Sequence, residues 1–328
     1  MAGFDIIRTA RAILHVTDLD KSREFYVKAL GFVETEADDN HIYLRGLEEH
    51  IHHSLVLKKA DQPNVEVLSY KMRSEDDLEE LASFFEKDGF QVKWMEEGTQ
   101  RAIGRSFRVQ DVSGIPVEFF AKMETVDRLL QRYEMYRGAR VQRIDHFNCM
   151  VPDVEKAYNF YIEKLGFACS EYTATEEDKI WAAWLHRKPT VHDVAFMNGK
   201  GPRVHHIGFW LSDPMSIIHA CDVLASIGYS PNIERGPGRH GLSNAFFLYL
   251  RDPDGHRIEL YTGDYFTGDP DFEPVRWDIN DPRRQTFWGH EAPDCWFKEA
   301  STVLDIQTGK PIETKEAALA QHKPTFVI

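Results

Sequence analysis

The sequence predicts an α+β fold of tandem βαβββ modules, two modules in each of two domains. Three internal matches carry the prediction. Leu19 to Phe32 (LDKSREFYVKALGF) repeats as Val154 to Phe167 (VEKAYNFYIEKLGF) at an offset of 135 residues. Val65 onward matches Val204 onward as strand, polar cap and helix, the helices ending at Gly89 and Gly228. Ser106 onward (SFRVQDVSGIPVEFF) matches Phe247 onward (FLYLRDPDGHRIELY). Self-similarity at long period marks a repeat architecture, whose units bury their apolar faces against one another.

In chain order, Ala12 to Val16 reads as an apolar strand, and Leu19 to Phe32 as one amphipathic helix closed by Gly31. His41 to Leu44 and Ser54 to Lys58 complete the first module as strands; the second begins at Val65. Met123 to Arg140 reads as a charged helical connection. The second half repeats the plan with strands at Ile144 to Val151, Ile180 to Leu185 and Asp193 to Met197, around a helix closed by Gly166. The expected domains are 1–135, 136–262, and a segment 263–328 that matches nothing earlier. That segment is rich in Gly, Pro and Trp (Gly263, Pro270, Pro274, Trp277, Trp288, Trp296) and is expected to lie over the barrel mouth as a lid or to serve as an oligomer arm.

The chain of 328 residues carries 39 Lys and Arg against 53 Asp and Glu, a net charge of -14, which argues against a nucleic-acid partner. There is no apolar run of about 18 residues, so no membrane span is expected. Four scattered cysteines and an N-terminus without signal-peptide ordering suggest a reducing cytoplasm.

In Arg251 to Tyr261, the turn Asp252, Pro253, Asp254, Gly255 leads into an alternating strand that holds Glu259. A carboxylate inside a strand must be exposed, paired or bound to a cation. The repeat sets His146, His206 and Glu259 on equivalent strands, against Arg11, Val67 and Glu118 in the first half. At most one half can therefore use this triad. Two histidines and a carboxylate suit a divalent first-row metal with open positions. Strand alternation sends Asn148 to the same face as His146, and His205 to the opposite face from His206. His192 is expected to open a strand, and Tyr249 to lie on the hairpin partner of Glu259. Trp184, Arg235, His240, Arg283 and Arg284 add aromatic and cationic groups.

The paired modules, the LGF closing each first helix and the D-P-D-G-H-x-I-E-L motif resemble the vicinal oxygen chelate superfamily, with its glyoxalase-like fold, over residues 8 to 262. The segments RIDHFNCMVPDV, WLHRKPTVHDVAF, GPRVHHIGFW, ERGPGRHG and LRDPDGHRIELYTGDY, with WDINDPRRQTFWGH, further resemble type I extradiol ring-cleaving dioxygenases, and within them the group that cleaves homoprotocatechuate. The resemblance implies His146, His206 and Glu259 as ligands of one Fe(II) or Mn(II) per chain, binding of a catechol and O2, and a cytoplasmic homotetramer. It implies His192, with a near-neutral pKa, as second-sphere acid/base beside Tyr249 and Asn148, and Arg235, His240, Arg283 and Arg284 as groups that position substrate or close the site. The arginines favour 3,4-dihydroxyphenylacetate, since guanidinium pairs with carboxylate through two parallel hydrogen bonds. The competing readings are an extradiol dioxygenase for another catechol, a glyoxalase-like metal isomerase and a metal-free binding protein.

Overall fold

A computed structural model describes residues 3–323. The first half contributes β1 (Ile6–Val16), α1 (Leu19–Arg23), β2 (Val33–Ala37), β3 (His41–Arg45), β4 (Leu55–Lys59), β5 (Val65–Met72), α2 (Glu75–Lys87), β6 (Lys93–Met95), β7 (Ser106–Gln110) and β8 (Pro116–Phe120). The second half repeats this order as β9 (Arg143–Val151), α3 (Val154–Asn159), β10 (Ala168–Ala174), β11 (Ile180–His186), β12 (Val194–Asn198), β13 (Arg203–Trp210), α4 (Pro214–Ser226), β14 (Ile233–Arg239), β15 (Phe246–Arg251) and β16 (Arg257–Thr262). Each half is therefore βαβββ twice. The sheet order β2-β3-β4-β1-β5-β8-β7-β6 recurs as β10-β11-β12-β9-β13-β16-β15-β14.

The register makes the repeat exact enough to compare single residues. Arg11 pairs with Ser69 and Ser69 with Glu118 across β1, β5 and β8. His146 pairs with Gly208 and Gly208 with Glu259 across β9, β13 and β16. Arg11 and Glu118 thus occupy the places of His146 and Glu259. Val67, opposite Ile13, occupies that of His206, opposite Asn148.

Both first helices start on an aspartate cap, Asp18 or Asp153, whose carboxylate takes orphan backbone N–H groups. Both then widen to π-helical turns, Glu24–Ala29 and Phe160–Lys164, so that Leu30 N donates to Phe25 O and Leu165 N to Phe160 O. Gly31 and Gly166 follow at φ of +78° and +71°, where a side chain would be strained.

The halves are interlocked with approximate twofold symmetry. The Tyr26 hydroxyl donates to Asp252 at 2.9 Å, and the Tyr161 hydroxyl to Asp111 at 3.0 Å, each reaching the last hairpin turn of the other half. The Thr9 amide donates to Asp193 and the Ile144 amide to Glu49. Between these ties Phe32 packs on Phe209 and Tyr70 on Phe147, within one continuous core. Each such buried ring contributes about 1.5–3 kcal/mol.

Met123 to Arg140 is not the helix its charge pattern suggested; it holds only a 3-10 turn at Tyr133–Met135. Its backbone groups are used elsewhere. His52 N donates to Glu124 O, Val126 N to His50 O and Leu129 N to Leu47 O, pairings incompatible with i to i−4 bonding. Beyond residue 262, β17 (Val275–Asp278) lies parallel to β10, α5 (Asp294–Lys298) follows, and β18 (Ser301–Thr302) adds to β13. The stretch from Ser301 folds back on its own chain, Leu304 N donating to Val65 O and Ala318 N to Pro152 O. Among the described residues no helix is long and apolar enough to cross a membrane.

Candidate metal centre and its cavity

His146, His206 and Glu259 stand on the adjacent strands β9, β13 and β16, and their ligand atoms converge. His146 Nε2 lies 2.8 Å from Glu259 Oε2 and 3.3 Å from His206 Nε2, while His206 Nε2 lies 3.1 Å from Glu259 Oε2. Gly208 permits the convergence: a Cβ there would lie 2.1 Å from His146 Cε1. Edges near 3 Å are those of an octahedral face with bonds of about 2.1 Å, the nitrogen–metal distance typical of imidazole ligands. All three side chains are buried. Two nitrogens and one carboxylate oxygen form the donor set of a divalent first-row cation, and the residues fit such an ion.

The surroundings prepare each ligand. His146 Nδ1–H donates to Asp145 at 3.2 Å, which fixes the ring with Nε2 directed at Glu259. Lys188 and Arg143 stand 3.5 and 3.6 Å from that buried carboxylate. Burial opposes a charge on His146, but the bonds to Asp145 and Glu259 outweigh it and raise the imidazole to about 9. Burial lowers His206 to about 4. Although burial works against its charge too, Glu259 is held well below the usual carboxylate range by the two imidazoles. Two buried carboxylates beside two imidazoles are thus arranged to hold positive charge.

A cavity opens over the triad. Asn148, Trp184, His192, His240, Tyr249 and Arg284 line it. His192 precedes β12 rather than opening it, and its ring centroid lies 3.9 Å from that of His146. Burial and the neighbouring His146 push its pKa well below the ordinary imidazole value, not near neutral. Among the described residues His192 Nδ1 and Asn148 Oδ1 have no hydrogen-bond partner. His240 Nδ1–H donates to the Gln285 carbonyl, so its Nε2 accepts the Tyr249 hydroxyl at 3.0 Å. Burial takes His240 down to about 3.

Two expected cavity groups lie elsewhere. Arg283 is 64% exposed and paired with Asp281 at 2.8 Å, because the loop turns consecutive side chains apart. Its neighbour Arg284 is the one that is buried and faces the cavity. Arg235 does not line the cavity; it stacks over Trp296 and Phe247 and donates to Gln285 O and Thr286 Oγ1.

The expected strand alternation also fails at His205. A bulge between Val204 and His206 breaks it. The His205 ring consequently meets His206, Nδ1 to Nδ1 at 2.7 Å, and reaches the Trp296 carbonyl with Nε2 at 2.9 Å. Tyr261, which also lines the cavity, was legible by alternation from Glu259, two residues earlier on the same strand. Trp296 and Gln285 line it from the C-terminal segment, where no sequence period marks them.

The Glyoxalase/Bleomycin resistance protein/Dioxygenase superfamily model matches residues 8–119 and 143–260. In structure the chain is similar to a homoprotocatechuate 2,3-dioxygenase from Brevibacterium fuscum in anaerobic complex with 3,4-dihydroxyphenylacetate, at TM-score 0.92 and 44% identity over 95% of this chain and 97% of that one. In sequence it is 30% identical to a metapyrocatechase from Geobacillus stearothermophilus over 94% of this chain and 97% of the relative. It is 29% identical to a manganese-dependent 2,3-dihydroxybiphenyl 1,2-dioxygenase from Geobacillus genomosp. 3 over 87% and 94%.

Proposed function

The chain belongs to the Glyoxalase/Bleomycin resistance protein/Dioxygenase superfamily and is an extradiol ring-cleaving dioxygenase; from that premise we propose that its substrate is 3,4-dihydroxyphenylacetate. The ring is cleaved between C2 and C3, and both atoms of O2 enter 5-carboxymethyl-2-hydroxymuconate semialdehyde. One observation carries the substrate choice. Arg284 lines the cavity, is 1% exposed, and among the described residues forms no ion pair. Its Nε–H goes to the Ile279 carbonyl, and its Nη2 lies 3.3 Å from His322 Nδ1. A buried cation without an anion costs several kcal/mol, and a carboxymethyl side chain would supply the anion. Arg284, rather than Arg283, is the proposed carboxylate contact.

His146, His206 and Glu259 would hold one Fe(II) or Mn(II), which when bound acidifies a chelated catechol and offers the open positions at which substrate and O2 meet. His192, its ring tilted against that of His146, would accept a catechol proton and return it later in the reaction. The Tyr249 hydroxyl, oriented by His240, and the Asn148 amide would hold the oxygens on the reacting face. Trp181 and Trp184 wall the cavity and exclude water. The four free cysteines support a reducing cytoplasm, and the homotetramer implied by the resemblance belongs to the same proposal, to be checked by light scattering.

The test is anaerobic purification with elemental analysis, then addition of 3,4-dihydroxyphenylacetate and air while following oxygen uptake and visible absorbance. The proposal expects about one iron or manganese per chain and a yellow product matched to the oxygen consumed. Arg284→Leu is expected to raise KM for 3,4-dihydroxyphenylacetate about 10–100-fold, the worth of a hydrogen-bonded charge, and to leave KM for unsubstituted catechol nearly unchanged. Faster turnover of catechol or 2,3-dihydroxybiphenyl by the wild type, the preferences in the names of the two sequence relatives, would replace the substrate and keep the reaction class.

A further inference from the structure

His205 is neither in the triad nor on the cavity wall, yet both of its ring nitrogens are engaged with the site. A carbonyl oxygen can only accept, so the 2.9 Å contact to Trp296 O requires a proton on His205 Nε2. The 2.7 Å contact between His205 Nδ1 and His206 Nδ1 has room for one proton. If His205 kept it, His206 would carry its own proton on Nε2, pointed at Glu259, and would have no lone pair there. If His206 keeps it, its Nε2 lone pair faces His146 and Glu259. The second arrangement leaves His205 neutral, in keeping with a ring that is fully buried against Trp296, whose indole also lies under the Arg257 guanidinium.

We infer that His205 is a positioning residue which, held by the Trp296 carbonyl, sets the tautomer of His206. This rests on reading His206 as a metal ligand and goes beyond it, because it makes the C-terminal segment part of the ligand's preparation. The two imidazoles of the triad are then tuned differently. His146 donates to a carboxylate, which raises its basicity, whereas His206 donates to a neutral imidazole. The β-bulge beside His205 is what makes the relay possible, since regular alternation would separate the two rings.

The experiment is Mn(II) titration of metal-free protein against a competing fluorescent chelator, for wild type, His205→Gln and His205→Leu. Glutamine retains an oxygen to accept from His206 and an N–H to donate to Trp296; leucine retains neither. His205→Leu is expected to bind Mn(II) about 10–100-fold more weakly, the usual effect of losing an outer partner. His205→Gln should restore most of that affinity, and KM for the catechol at saturating metal should move little in either variant. Wild-type affinity in His205→Leu would overturn the inference. Should that variant fold poorly, ¹⁵N-histidine spectra of Zn(II)-loaded wild type decide. Protons on His205 Nε2 and His206 Nδ1 are expected, and a proton on His205 Nδ1 refutes the relay. A wild type that binds no Mn(II) would instead remove the ligand reading, and this inference with it.

Discussion

Each half of the molecule buries a glutamate at the same strand position and neutralises it by different means. In the N-terminal half Glu118 Oε2 meets Arg11 at 2.5 Å and Oε1 meets Arg108 at 2.9 Å, with Gln100 and Ser69 completing the shell. In the C-terminal half the equivalents of Arg11 and Arg108 are His146 and Tyr249, and Glu259 Oε2 meets the His146 and His206 imidazole nitrogens at 2.8 and 3.1 Å on the wall of the cavity. Even His192 has a counterpart. His53 accepts from Arg11 at 3.4 Å as the His192 ring leans on that of His146, and burial together with Arg11 pushes His53 well below the ordinary imidazole range. Ile13, Tyr43, Val56 and Val67 form an apolar cluster in the first half, Ile13 and Val67 occupying the strand positions that Asn148 and His206 hold in the second. The fold demands a cation beside this carboxylate. One half supplies it from its own chain, and the other leaves the demand to a metal.

The largest contrast comes from removing the two glutamates in turn. Glu259→Ala should abolish metal retention and ring cleavage while leaving the metal-free protein folded, as judged by elemental analysis, oxygen uptake and circular dichroism. Glu118→Ala should leave about one metal per chain but strand two buried guanidinium groups, at a cost of about 3–5 kcal/mol in urea unfolding. Loss of metal in the second variant, or of most stability in the first, would collapse the distinction between the halves.

Next in size are the paired histidines. His192→Phe should retain metal and bind catechol, yet turn over about 10²–10⁴-fold more slowly, the typical worth of a positioned acid or base. His53→Phe should leave kcat within a few-fold of wild type. Unchanged turnover in His192→Phe would remove that residue from the mechanism.

Acid separates the halves more gently. Glu66, which occupies the place of His205, is half-buried, which opposes its charge, yet His15, Arg108 and Lys58 hold it well below the usual carboxylate range. A carboxylate depressed in the folded state adds stability above its unfolded value of about 4.3 and loses that contribution as pH falls below it. The stability gap between wild type and Glu66→Gln should thus be constant from pH 6 to 8 and shrink progressively under acid. A gap that grew on acidification would reverse the sign and refute the pairing.

What was legible in the chain follows from the same comparison. Register conserved between repeats carried the triad, because His146, His206 and Glu259 sit at positions whose twins could be read off directly. Where geometry departs from regular period, reading by period failed. His205 escaped alternation through a bulge. Arg283 and Arg284 are adjacent, and only the turn at Asp281 decides which is exposed. Met123 to Arg140 carries helix-like charge but spends its backbone bonds on residues 47–52. Trp296 and Gln285 reach the cavity from a segment without a repeat: its tryptophans suggested a cover over the barrel mouth, but no period singled out these two positions.

If register alone makes a metal site, the N-terminal half can be converted into one, and the shortfall measures what register omits. Arg11→His with Val67→His would set His, His and Glu118 on three adjacent strands in the arrangement of the other half. Glu66, in the position of His205 beside an equivalent bulge, could accept from the new histidine at 67. Ala10, in the position of Asp145, offers the histidine at 11 nothing, and Arg108 would still neutralise Glu118. The double variant should therefore take up a second Mn(II) only weakly in equilibrium dialysis. Adding Ala10→Asp should tighten that second site about 10–100-fold, the contribution of an outer-shell carboxylate, and should leave the first site unaltered. Equal binding with and without the aspartate would mean that strand register suffices and that the outer partners of His146 and His206 serve packing alone.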